Sequence, residues 1–123
     1  MKSWIGAVAL AGALASGSAT AAPAATGNEL LQWCKNVLSD NETESTSYTA
    51  GYCTAVVATV GDLIKSINHD LGPKLQICVP SGVSNGQMVR VLVKYLEANP
   101  EKLHINATAL TIFATQQAFP CKS

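Results

Sequence analysis

Residues 48–73 read YTAGYCTAVVATVGDLIKSINHDLGP, and this stretch decides the fold. Tyr52, Cys53, Val56, Val57, Val60, Leu63, Ile64, Ile67 and Leu71 recur through it at intervals of three and four. Its valines and isoleucines taken singly favour strands. A period near 3.6 sustained over the whole run outweighs that preference and puts the apolar side chains on one face of a long amphipathic helix. The helix is expected from about Tyr48 to Asp70, with Gly72-Pro73 ending it because proline brings no N–H to the next turn. Gly51, Ala55, Ala58 and Gly61 are small and recur at similar spacing, which predicts a seam where a second helix approaches closely.

The flanking sequence repeats the pattern. Leu30, Leu31, Cys34, Val37 and Leu38 form one stripe of a helix that begins near Asn28, the expected cap, with Glu29 in its first turn. Ser39 to Ser47 contains no apolar residue and carries Asp40, Glu42 and Glu44, so it reads as an exposed loop. Lys74 to Val83 is irregular. Ser84 followed by Gln87 is a capping box, with Val83 and Met88 as its hydrophobic staple, and opens a third helix. Met88, Val91, Leu92, Tyr95 and Leu96 are its buried stripe, and Asn99-Pro100 stops it. A last helix runs from about Asn106 to Ala118 with Leu110, Ile112 and Phe113 inward. Four helices and no convincing strand make an all-α fold: a small four-helix domain with two disulfides.

The N-terminus is expected to lie outside that domain. Met1-Lys2 is a short positive start, Trp4 to Leu14 an uncharged apolar run, and Ala19-Thr20-Ala21 a small-x-small cleavage signal. Residues 1–21 therefore read as a secretory signal peptide, 22–27 as a flexible mature N-terminus, and 28–123 as the helical domain. No later segment reads as a membrane span, so no membrane partner is expected after cleavage. Eight basic and eight acidic residues cancel over the 123-residue chain, and loss of Lys2 leaves seven against eight. No field of that kind attracts nucleic acid, which removes it as a partner.

Cys34, Cys53, Cys78 and Cys121 are an even set in an exported chain and read as two disulfides. Their wide spacing lacks the paired ligands of a zinc site, so neither metal nor cofactor is expected. Pairing Cys34 with Cys53 and Cys78 with Cys121 would staple each helical hairpin separately. Interleaved pairing would close wider loops, each worth up to about 4 kcal/mol of chain entropy. Four cysteines allow three pairings, and spacing does not choose between them outright, although loop entropy leans to the interleaved set. His69-Asp70 and His104 have no nucleophile at a suggestive spacing, and no catalytic residue is assigned.

Five separated motifs then agree. Leu30-Leu31-Gln32-Trp33-Cys34 is followed by Gly51-Tyr52-Cys53, by Cys78-Val79-Pro80-x-Gly82-Val83-x-x-Gly86-Gln87, by Tyr95-Leu96-Glu97-Ala98-Asn99-Pro100, and by Ala118-Phe119-Pro120-Cys121. In this order they resemble the Rap/Tai family of type VI secretion system immunity proteins, over nearly the whole mature chain. Ala55 and Ala58 stand where that family often has glycine. The resemblance implies a disulfide-bonded helical fold akin to the periplasmic acid-stress chaperone HdeA, and with it the interleaved bridges Cys34–Cys78 and Cys53–Cys121. It further implies a periplasmic, non-enzymatic protein that binds a bacterial effector, a peptidoglycan amidase, and blocks it sterically, with a homodimer as its form. The alternative within the same resemblance is a periplasmic acid-stress chaperone. The exposed loop supplies the expected effector-binding residues Asp40, Asn41, Glu42 and Glu44, with Tyr48 beside them, because binding groups concentrate on loops and tyrosine is frequent at interface hot spots. Ser81 to Gly86 is the weaker candidate, its Ser84 and Gln87 being accounted for by capping.

Overall fold

Thr26 opens the first helix: its backbone N–H donates to the Glu29 carboxylate at 2.7 Å, one of the donors that a helix start leaves unpaired. The helix, α1, spans Gly27–Leu38. The computed structural model describes residues 24–39 and 48–122, so the expected signal peptide lies outside the described residues. The remaining helices are α2 (Tyr48–Ile67), α3 (Asn85–Ala98) and α4 (Ala107–Ala118), with short 3-10 turns at Asn68–Asp70 and Pro100–Lys102. No strand occurs among the described residues, where pairing is limited to two isolated antiparallel bridges, Thr26 with Asn106 and Ile77 with Pro120. The all-α, two-disulfide fold is therefore the one that periodicity and cysteine count predicted.

The caps follow local chemistry. Ser84 Oγ accepts the Gln87 N–H at 3.1 Å and starts α3. Asn106 Oδ1 accepts from Thr108 and Ala109 at 2.9 and 3.3 Å and starts α4. At α1 the cap is Thr26, two residues before the expected Asn28. Asn28 is used differently: its side-chain amide and its backbone N–H both donate to the Leu103 carbonyl, at 3.2 and 3.0 Å. Gly27 N–H donates to Ile105 and Ala107 N–H to Ala25, so residues 25–27, expected within a flexible lead-in, are stitched to the α3–α4 connection. Gly27 is buried there, and a Cβ at this position would overlap a Leu110 methyl and stand 3.0 Å from the Leu103 backbone.

α1 packs on α2 and α3, and α4 closes over α2 and α3. The main core holds Leu30 and Cys34 from α1, Cys53 and Val57 from α2, Val89, Leu92 and Leu96 from α3, and Leu110 from α4. Trp33 meets Tyr52 edge to face at 5.0 Å beside the α1–α2 contact. A smaller cluster of Val60, Ile64 and Ile77 continues along the second half of α2.

Three expectations are corrected by this packing. First, Phe113 is 43% exposed and Ile112 only half-buried. The inner face of α4 is Ala107, Leu110, Thr111, Ala114 and Thr115, and at about 100° per residue Ile112 and Phe113 fall on opposite flanks of it. The small side chains let α4 sit close, and the buried hydroxyls of Thr111 and Thr115 are satisfied by the carbonyls of Ala107 and Thr111 at 2.8 and 2.7 Å. Second, Gly51 and Gly61 have nothing within 4 Å of a notional Cβ, so the small-residue series on α2 is not a close helix seam. Third, Tyr48–Asp70 is long and apolar enough to cross a membrane by length and composition, where no such segment was expected. In this fold the helix commits Cys53, Val57, Val60 and Ile64 to the core, and a covalent bridge holds it to α1.

Candidate functional site

The connection between α2 and α3 is irregular because its residues forbid regular structure. Pro80 cannot donate a ladder bond, and Gly82 adopts a φ of +93°, open to glycine and strained for other residues. A turn results in which the Val83 N–H reaches the Pro80 carbonyl at 3.5 Å. Two hydrogen bonds from backbone N–H groups fasten its start, Ile77 to the Asn68 side-chain Oδ1 and Cys78 to the Phe119 carbonyl, each 2.8 Å. Ile77 is buried against Val60 and Ile64. The connection is thereby held alongside the second half of α2 and leaves a groove of about 880 Å³ between them.

Val57, Ile64 and Ile77 contribute apolar surface to this groove, and Met88 and Thr115 line it from α3 and α4. The wall opposite α2 is Cys78 to Val83. Its charged residues are Asp62 and Lys65, which lie 3.7 Å apart and are well exposed, so their charges cancel at close range. The groove is nearly neutral, with an apolar lining and a polar rim.

The cysteines pair as neighbours. Cys34 bonds Cys53 and Cys78 bonds Cys121, with Cα separations of 5.3 and 4.9 Å. The interleaved pairs Cys34–Cys78 and Cys53–Cys121 are overturned, and packing supplies the reason. Cys34 and Cys53 face each other inside the α1–α2 contact, both in the main core. Cys78 stands beside the second cluster, where the Ile77–Pro120 bridge brings the C-terminal segment to it. Crossing the pairs would require Cys34 and Cys53 to leave the main core and reach a C-terminal segment docked elsewhere.

Of the expected effector-binding residues, Asp40, Asn41, Glu42 and Glu44 lie outside the described residues. Tyr48, on the first turn of α2, is 83% exposed. Tyr52 is half-buried against Trp33. Within the weaker candidate Ser81 to Gly86, Ser81 to Val83 and Asn85 line this groove. His69 Nε2 pairs with Asp70 Oδ2 at 3.2 Å, both side chains exposed, and His104 is exposed. Among the described residues no group of three or more His, Cys, Asp or Glu could hold a metal ion. Sequence reasoning missed the groove. Its signal was present in Cys78-Val79-Pro80-Ser81-Gly82, a proline–glycine turn anchored by a cysteine, but the opposite wall is supplied from elsewhere in the chain.

A family model described as Rap1a, Rap1a immunity proteins, matches residues 26–121, which is the helical domain from the Thr26 cap to the last cysteine. No curated protein matches the chain.

Proposed function

The chain belongs to the Rap1a immunity protein family, and from that membership we propose that it is a periplasmic immunity protein that binds a type VI secretion effector and inhibits it sterically. The effector is a peptidoglycan amidase in this reading, and the immunity protein contributes no catalytic group of its own. The observation that carries the proposal is the match over residues 26–121, which spans all four helices and both bridges. The scaffold suits an inhibitor. Two disulfides stiffen a domain of under about 100 residues whose core alone would be marginal, and a pre-stiffened surface loses less entropy on binding. Disulfides are the norm in exported proteins, which fits a periplasmic location.

Asp40, Asn41, Glu42, Glu44 and Tyr48 are the proposed effector contacts. In their support, Tyr48 presents a large amphipathic side chain to solvent, with no core role to explain it. A homodimer is part of the same reading.

The test is calorimetric titration of the oxidised mature domain against an amidase effector encoded beside it, with amidase activity followed in parallel. Tight binding with loss of activity is the expected result. A folded, oxidised domain that neither binds nor inhibits refutes the proposal. For the loop, the D40A/E42A/E44A variant is expected to bind at least about tenfold more weakly, a loss of about 1.4 kcal/mol, with unchanged helical circular dichroism. Unaltered affinity refutes the loop assignment alone.

A further inference from the structure

The two disulfides stand in opposite surroundings. Cys34 and Cys53 are both 0% exposed and sit in the main core between α1 and α2. Cys78 is exposed, Cys121 is partly so, and Cys78 lines the groove. Thiol–disulfide exchange needs an attacking thiolate to reach a sulfur along the S–S axis, so access separates the two bridges. The wall that Cys78 begins is also thinly held. Among the described residues, Val79 to Val83 make one backbone hydrogen bond, the 3.5 Å contact internal to their own turn. The wall is anchored at its base by the bonds of Ile77 and Cys78 and by the bridge to Cys121, which encloses a sequence separation of 43 residues.

We propose that Cys78–Cys121 is a redox latch on the groove wall, opened by a dithiol reductant, while Cys34–Cys53 is a permanent staple of the helical core. A thiolate of the reductant attacks Cys78 Sγ, the S–S bond breaks, and Cys121 leaves as a thiolate that takes up a proton. The second thiol of the reductant attacks the mixed disulfide and releases Cys78. The protein gains two electrons and two protons, and the dithiol becomes a disulfide. The base of the connection is then held only by the hydrogen bonds of Ile77 and Cys78 and by the packing of Ile77 against Val60 and Ile64, so Val79 to Val83 beyond it swing away from α2 and the groove loses its fixed shape. α1, α2 and α3 remain locked by the core and by the other bridge. The latch does not depend on which partner the groove or the loop meets.

The test is graded reduction of the oxidised mature domain with dithiothreitol, quenched by alkylation and peptide mapping, with amide hydrogen exchange measured at each step. Cys78 and Cys121 are expected to be alkylated about tenfold faster than Cys34 and Cys53. At that intermediate stage, exchange over residues 77–83 and 119–121 is expected to accelerate about tenfold, with α1 and α3 still protected. The C78S/C121S variant is expected to reproduce that exchange pattern without reductant. Simultaneous reduction of both pairs, prior reduction of Cys34–Cys53, or unchanged exchange over 77–83 overturns the proposal. Failure of C78S/C121S to fold, or global loss of protection when the first bridge opens, overturns it as well, since the bridge is then structural.

Discussion

The same substitution, glycine to alanine, is expected to have opposite signs at two helical positions. At Gly27 a Cβ overlaps a Leu110 methyl and approaches the Leu103 Cα and carbonyl oxygen to 3.0 Å. Leu110 is 0% exposed and has no open side to retreat to. The Leu103 carbonyl is held by two donors from Asn28, and Gly27 itself donates to Ile105 at 3.0 Å, so the backbone is fixed from both sides. Forcing a methyl into such a site costs about 1–3 kcal/mol. The gain from replacing glycine in a helix is at most about 1 kcal/mol, and less in the first turn. The balance is a loss of about 1–2 kcal/mol, or roughly 5–15 °C in Tm for a domain of this size. At Gly61, near the middle of α2, a Cβ meets nothing within 4 Å. Only the propensity and chain-entropy gain remains there, about 0.4–1 kcal/mol, and Tm is expected to rise by a few degrees. Thermal and urea unfolding of the oxidised domain, followed by far-ultraviolet circular dichroism, measures both. G27A as stable as the parent refutes the close packing of the N-terminal segment. G61A less stable than the parent shows that this face of α2 is covered after all, as the spacing of its small residues had suggested.

Removing the α4 cap with N106A is expected to cost about 1 kcal/mol, because two N–H groups at the helix start lose their acceptor; urea midpoints at unchanged slope would show it. L96A deletes a fully buried side chain from the main core and is expected to cost about 2–5 kcal/mol, enough to unfold much of the population at moderate urea concentration; a loss under about 1 kcal/mol would contradict its placement. By contrast K35A, which breaks the exposed 3.7 Å pair with Glu97, is expected to change stability by less than about 0.5 kcal/mol at physiological salt.

Much of the local architecture was legible because its causes are local. Ser84 caps α3 where the sequence placed its cap, α4 starts beside the expected Asn106, and Asn99-Pro100 stops α3 as expected. The cap of α1 was misplaced by two residues for a specific reason. Asn28 is a good capping residue in isolation, but Leu103, seventy-five positions away, recruits its side chain, and the Thr26–Glu29 pair closes the turn instead. Phe113, expected inward, is exposed because the inner face of α4 is built from Ala107, Leu110, Thr111, Ala114 and Thr115.

The sequence by itself determined that this is a small all-α domain. Periodicity, capping residues and helix-stopping prolines act within a few residues of one another, and an even cysteine count is enough to expect two bridges. Tertiary structure alone decided which cysteines meet. Pairing follows from which clusters the helices build, and Cys34 with Cys53 belongs to the main core while Cys78 with Cys121 belongs beside the smaller one. It alone decided that the series Gly51, Ala55, Ala58 and Gly61 is not a packing seam, and that Gly27, inconspicuous in the sequence, is the glycine that packing requires. It also created the groove, whose two walls lie on α2 and on the connection after it and are held in place by Phe119 and Cys121 from the far end of the chain. Such a feature is set by long-range docking, which a local pattern does not encode.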